Sequence, residues 1–358
     1  MDKKQLQKFI KWLQEKNYIV IGPVKDDEQI LIKTISKPSQ LDFSGQLPLY
    51  SFKKYLVPSR EILFKYKKDD FKADLTAFKQ ALIGVSIFDL KAILLYNQVF
   101  EKDPYYQARL SNTLIVGQSQ IPQFQDLSFR VWEDKYEEDI LEHLQFDIFL
   151  GQANINPVRG GSPQSGRSRA FSRAASNGAK KSSEFKIFTG SKKGQQILND
   201  FTKQSGWKSD FEHIEYSGPI KEEGANPEMI KIKEKMPGSL ETDIWQKLDQ
   251  RCIECGKCTI VCPTCFCFSL TDQPCLNKDE GMRKRCWDSC FYSEFSEITG
   301  GHKFLKNTAE RIYNWYYHKF VRIPDEYSFP GCVGCGRCSM VCPAGIKIHE
   351  VLAEIKNK

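Results

Sequence analysis

Cysteine is missing from the first 251 residues of this 358-residue chain, so that stretch can form no disulfide and offers no thiolate to a metal. Histidine is scarce, with five in all. There is no H-E-x-x-H, no G-x-G-x-x-G and no recognisable nucleophile–base set, which removes the signatures of zinc proteases, dinucleotide-binding folds and covalent hydrolases. No apolar run approaches the ~18–20 residues that span a bilayer. The opening Met1-Asp2-Lys3-Lys4 leads into a periodic pattern with Leu6, Phe9, Ile10 and Leu13 on one helix face, not the continuous apolar stretch of a signal sequence. A reducing cytoplasm is the expected compartment. The net charge of +7 has a local origin: positions 156 to 193 hold nine Lys or Arg against Glu184 alone. No general case for nucleic acid follows from it.

What the chain does have is thirteen cysteines between Cys252 and Cys342. Two runs repeat one spacing. The first is Cys252-Ile-Glu-Cys255-Gly-Lys-Cys258-Thr-Ile-Val-Cys262-Pro263, and the second is Cys332-Val-Gly-Cys335-Gly-Arg-Cys338-Ser-Met-Val-Cys342-Pro343. This is the C-x2-C-x2-C-x3-C-P run of bacterial-type [4Fe–4S] proteins. A cube takes one thiolate per iron, and three cysteines at steps of three let one tight loop wrap a face of it. The fourth cysteine of such a run goes to the other cluster where two are present. The spacing therefore predicts two [4Fe–4S] clusters. One sits on Cys252, Cys255, Cys258 and Cys342, the other on Cys332, Cys335, Cys338 and Cys262. Structural zinc needs only four ligands, and a third cysteine with a fourth before proline is not its pattern. A disulfide scaffold belongs to short secreted chains.

Lys257 and Arg337 fall inside the ligand loops. Positive charge there should favour the more negative, reduced cluster and raise its potential. His302 either hydrogen-bonds near a cluster or packs at a helix start. Five cysteines are spare: Cys265, Cys267, Cys275, Cys286 and Cys290. They read as buried thiols lining the cluster pocket; a third metal site on Cys265, Cys267, Cys286 and Cys290 is the sharper alternative.

The fold class reads as α+β. Residues 1–154 form a mixed α/β domain. A helix comes first, then short strands at Tyr18–Ile21 and Ile30–Ile32 separated by Gly22-Pro23 and a polar turn. A buried strand at Ala81–Val85 follows, then a helix carrying Leu90, Ile93, Leu94 and Val99, a helix starting at Asp103, and a strand at Thr113–Gly117. Strand, helix, helix, strand implies a partly parallel layer. Residues 155–183, rich in Ser, Gly and Arg, read as a basic flexible insertion. An arm for RNA or an acidic partner is the other reading, and only Phe171 offers an aromatic. Residues 184–240 complete the first domain with a strand at Phe185–Thr189, a helix containing Ile197, Leu198 and Phe201, and a connector. Residues 241–358 read as an α-helical ferredoxin-like domain, with Ile312, Trp315, Tyr316 and Phe320 at helical spacing and a last helix bearing Ile348, Val351, Leu352 and Ile355.

In that last part Cys262-Pro-Thr-Cys265-Phe-Cys267, Cys286-Trp-Asp-Ser-Cys290, Gly300-Gly-His-Lys-Phe304, His318-Lys-Phe320 and Cys332-Val-Gly-Cys335-Gly-Arg-Cys338 follow one another in a family's order. Together they resemble the iron–sulfur β subunit of cytoplasmic NiFe hydrogenases (sulfhydrogenases) and the related iron–sulfur subunit of anaerobic sulfite reductase. The match covers about residues 245–350; upstream, Pro58–Glu61 and Gly84–Leu90 are similar to weaker landmarks. The resemblance implies an electron relay between a flavoprotein subunit that handles NAD(P)H and another that holds the catalytic metal. The chain departs where the family often carries N-terminal cysteines: it has Ser86, Ile87, Phe88, Ser119 and Gln120 there. The basic insertion also has no clear counterpart. A self-sufficient oxidoreductase, or a scaffold whose clusters are structural, are the competing functions; no nucleotide fingerprint or catalytic constellation supports the first.

Overall fold

The computed structural model describes residues 1–119, 140–152, 184–207, 211–219, 227–276 and 278–357. The expected insertion at 155–183 and Gln120 lie outside them. Within the first part, α1 (Lys3–Glu15) is capped by Asp2, whose carboxylate accepts from the Gln5 backbone while the Gln5 side chain answers the Asp2 N–H. That reciprocal box satisfies two of the four donors a helix start leaves open. Strands β1 (Ile19–Asp26) and β2 (Gln29–Thr34) form a hairpin, and a single helical turn, α2 (Lys53–Leu56), follows and buries Lys53 and Leu56. The hairpin belongs to a larger sheet with β5 (Gln80–Val85), β6 (Thr113–Gln118), β7 (Ile148–Gln152), β8 (Phe185–Thr189) and β9 (Glu212–His213). Its seven strands run in the order β2-β1-β5-β6-β7-β8-β9. The centre, β1-β5-β6-β7, is parallel. The β5-to-β6 crossover is α3 (Ile87–Val99) and α4 (Pro104–Ser111), the latter capped by Asp103 as its sequence implies.

The expected polar turn is there, but Gly22-Pro23 does not break the strand. β1 runs through both residues, and the turn comes at Asp27, which adopts φ 52°. Proline is tolerated there because β5 pairs only with Ile19, Val20 and Ile21, so no ladder donor is lost on that edge.

β5 and β6 are buried along their whole length. Their side chains alternate between two cores, as period two requires. Ala81, Ile83, Leu114 and Val116 join α1 and the helix Lys192–Ser205 on one face. Leu82 and Ile115 face the opposite core, which holds α3 and the cysteine-bearing segment through Phe291, Trp315 and Tyr316. The strand–Gly–helix passage at Phe188–Gly194 is close packing: a Cβ on Gly194 would lie 1.8 Å from the Asp147 carbonyl oxygen. The stretch read as a connector contains a helix, Pro227–Lys235, that buries Met229 and Ile232.

The last part is not purely helical. It has the expected helices Ile244–Asp249, Thr308–Tyr317 and Ile348–Asn357, but it also folds a hairpin, β10 (Phe268–Pro274) and β11 (Glu280–Trp287). β11 pairs with β3 (Arg60–Lys67), which pairs with β4 (Asp70–Ala73), giving one sheet built from both ends of the chain. Arg285 of β11 clamps it, donating to Glu61 at 2.7 Å and to Asp103, while Arg109 holds the other Glu61 oxygen at 2.9 Å. These strands are rich in Lys, Arg and Glu and stay partly exposed, so no apolar alternation marks them.

Candidate metal centre

Each cysteine run folds into the same local shape. In the second, Gly334 and Gly336 adopt φ 72° and 70°, and a short helix, Arg337–Met340, follows. In the first, the matching positions are Glu254 at φ 54° and Gly256 at φ 67°, followed by the helix Lys257–Val261. A left-handed glutamate costs about 1 kcal/mol or more. Its carboxylate is held in compensation, accepting from Thr308 Oγ1 at 2.7 Å and Arg311 Nε at 2.9 Å. At Gly256 a Cβ would also meet the Tyr292 hydroxyl at 2.7 Å. These two left-handed positions curl each loop so that its three cysteines face one side.

The runs then cross. Cys252, Cys255, Cys258 and Cys342 line one cavity of about 50 Å³. Cys262, Cys332, Cys335 and Cys338 line another of about 220 Å³. Trp315, Cys338 and Ile348 belong to both linings, so the cavities share a wall. Arg251 fastens the crossing, donating to the Ala344 and Gly345 carbonyls at 3.0 and 3.2 Å. Among the described residues, no three Cys, His, Asp or Glu side chains converge closely enough for one metal ion. A cube spaces its thiolates around four irons and asks for a sulfur-lined cavity instead, which is what each quartet lines. Burial pushes the Cys335 thiol up to about 12 and raises Cys258 and Cys338 as well. Buried thiols of this kind are poor free anions and gain most from a positive iron core.

The three non-cysteine candidates fare differently. Lys257 is exposed and borders the first cavity. Arg337 is fully buried, but it does not present free charge: its guanidinium grips Asp89 of α3 with two bonds of 2.7 and 2.9 Å and donates to the Pro48 carbonyl at 2.9 Å. Its positive charge is paired with that carboxylate. His302 lines neither cavity; it is exposed, on a two-residue strand, with its ring edge-on to Phe304.

Two lysines are buried beside the cysteines. Lys319 is 2% exposed, and its ammonium donates to Cys262 Sγ at 3.2 Å, Thr264 Oγ1 at 2.9 Å and the Gly331 carbonyl at 3.0 Å. Burial opposes its charge, but the sulfurs of Cys262, Cys265 and Cys332 outweigh burial and hold it well above the usual lysine range. A π-helical turn, His318–Arg322, places it. One extra residue in that turn re-aims the side chain, a device frequent at functional sites. Lys53 is also buried, donates to the Thr259 and Cys265 carbonyls at 3.4 and 3.2 Å, and lies 4.1 Å from the centre of the Trp287 ring. Burial draws its affinity for a proton down. The signal for both in sequence is a lysine at a buried, apolar-flanked position: Phe52-Lys53, and Lys319 one turn past Trp315.

The spare cysteines separate. Cys275 is exposed. Cys286 is the next-to-last residue of β11, opposite Ser269 and Arg60. Cys290 is buried and Cys265 and Cys267 are partly buried, packed against the apolar core that holds Phe291 and Trp315. The four-cysteine metal site is not gathered among the described residues.

Residues 251–346 match the family model of a 4Fe-4S dicluster domain. Over 347 residues the chain is 28% identical to sulfhydrogenase 2 subunit beta of Pyrococcus furiosus, covering 94% of this chain and 92% of that one. The chain resembles a sulfhydrogenase β subunit over nearly its whole length. No solved structure matches it. Among the described residues no helix is long and apolar enough to cross a membrane.

Proposed function

We propose that the chain is the electron-transfer subunit of a cytoplasmic, multi-subunit oxidoreductase. It relays electrons between a flavoprotein subunit that handles NAD(P)H and a subunit that holds the catalytic metal of a NiFe hydrogenase or sulfhydrogenase. Cys252, Cys255, Cys258 and Cys342 hold one [4Fe–4S] cluster; Cys262, Cys332, Cys335 and Cys338 hold the other. When bound, the clusters supply one-electron redox chemistry. The protein's share is insulation, spacing and field. Trp315 and Ile348 keep the shared wall dry, Lys319 places a positive charge on the second quartet, and Lys257 offers one at the solvent side of the first.

The observation that carries this reading is the shared wall between two crossed cysteine quartets. Adjacent centres suit electron transfer, and a purely structural cluster needs no neighbour. The test is anaerobic purification of the native complex with iron and sulfide analysis. About eight of each per chain, with a flavoprotein and a NiFe partner, is the expected result. A sirohaem partner in place of the NiFe chain assigns the protein to sulfite reduction. A colourless chain carrying zinc overturns the proposal.

A further inference from the structure

This fold gives its indole N–H groups acceptors. Trp245 donates to the Ser239 carbonyl at 2.7 Å, Trp287 to the Val57 carbonyl at 3.0 Å and Trp12 to the Gln204 side chain at 2.7 Å. Trp315 breaks the pattern. It is 5% exposed, and its Nε1, shut off from solvent, has no acceptor among the described residues. A buried donor without a partner loses its bond to water and gains nothing in return, so native folds rarely keep one without a reason. The surroundings of the ring show where an acceptor would come from. Tyr316 meets it edge-on with centroids 4.9 Å apart, Phe291 lies at 6.0 Å, and the Lys319 ammonium, which has no lone pair to offer, stands 5.4 Å from a ring centre. None of these accepts the indole proton. The ring also borders both cysteine cavities, and no cysteine sulfur accepts it either. The group that would satisfy it is therefore one held by a cavity, and a cube brings sulfides of its own.

We propose that the Trp315 indole N–H donates a hydrogen bond to a sulfide of one of the two cubes, so that the residue walling them apart also tunes one of them. The inference rests on the relay reading given above. A donor on sulfide stabilises the reduced, more negative cube and raises its potential. One N–H makes one good bond, so it favours one centre over the other. Two centres built on the same cysteine motif are thereby set apart in potential, and an electron in the relay gains a preferred resting place. The apolar packing of Phe291 and Tyr316 holds the indole plane, so the donor is fixed before an electron arrives.

The test uses the full, iron-loaded chain prepared without oxygen, its tryptophans labelled with heavy nitrogen in the indole ring. Pulsed electron paramagnetic resonance of the reduced chain reads the nuclei that share spin with a cube. The expected result is an indole-nitrogen coupling at one centre, with an exchangeable proton that disappears in heavy water. Trp315→Phe, which keeps a ring on the wall, should lose both signals and lower the midpoint potential of that centre alone, with iron content unchanged. No indole coupling at either centre of the parent overturns the proposal, and so does a coupling that survives in Trp315→Phe. If that variant loads no iron, Trp287→Phe decides instead: a coupling kept there supports Trp315, and one lost there belongs to Trp287 and overturns it. A chain with both cubes and no coupling sinks this inference alone; a chain without iron sinks the relay with it.

Discussion

The ammonium of Lys319 lies 3.2 Å from the sulfur of Cys262, the one cysteine of the first run that lines the second cavity. A buried cation at that distance stabilises added negative charge. At an effective dielectric near 20 the Coulomb energy at this range is about 4 kcal/mol. Lys319→Met should therefore lower one midpoint potential, by on the order of 100 mV for a one-electron couple, and leave the other nearly unmoved. Potentiometric titration followed by electron paramagnetic resonance measures it. Equal shifts in both centres would count against the placement.

Asp89 and Arg337 form a buried, two-bonded ion pair that ties the second cysteine loop to α3. Removing one partner strands the other charge, at a cost of about 3–5 kcal/mol. Asp89→Asn should lower the urea midpoint by that order and raise the potential of the second centre, because Arg337 is then unopposed. The double change Asp89→Asn with Arg337→Met should recover part of the stability. A double variant no better than the single one would refute the coupling.

His318 gives a pH dependence with a definite sign. Burial, then the charges of Lys319 and Arg322, draw it down from 6.5 to about 4. The folded protein therefore binds fewer protons than the unfolded chain between these values. Stability is full above pH 6.5 and falls as the pH drops towards 4, by roughly 2–3 kcal/mol over the window. His318→Gln should flatten the urea midpoint between pH 6.5 and 5 relative to the parent. An unchanged slope would show that another group titrates.

Gly194→Ala tests the sheet's other face. Alanine usually gains about 1 kcal/mol over glycine in a helix. Here its Cβ meets the Asp147 carbonyl oxygen at 1.8 Å, and overpacking of this kind costs about 1–3 kcal/mol. The clash wins, so thermal unfolding should come earlier, with cluster content retained. A stabilised variant would show that the helix start can shift.

The crossed grouping of eight cysteines around two cavities was legible because the signal is local: three cysteines at steps of three, and a fourth before proline from the same loop. The parallel core was legible too, since β5 and β6 are continuous apolar runs with helices between. Lys319 was not, because it reaches its sulfur across 57 residues of sequence and no spacing rule links them. The β10–β11 hairpin escaped for another reason. It buries little and pairs with β3 across more than two hundred residues, so neither periodicity nor turn chemistry announces it. Gly22-Pro23 misled because a turn dipeptide here sits on the stretch of β1 that β5 leaves unpaired.

The β3–β11 pairing has a consequence for how the chain is made. β3 and β4 leave the ribosome as a bare two-stranded ribbon, which is marginal in water, and wait for β11 to be synthesised before their sheet can close. One cysteine loop, 252–262, emerges before that strand and the other, 332–342, after it. Iron must then be delivered to a nearly complete protein, and a ribosome that stops before residue 287 releases a ribbon with nothing to dock on.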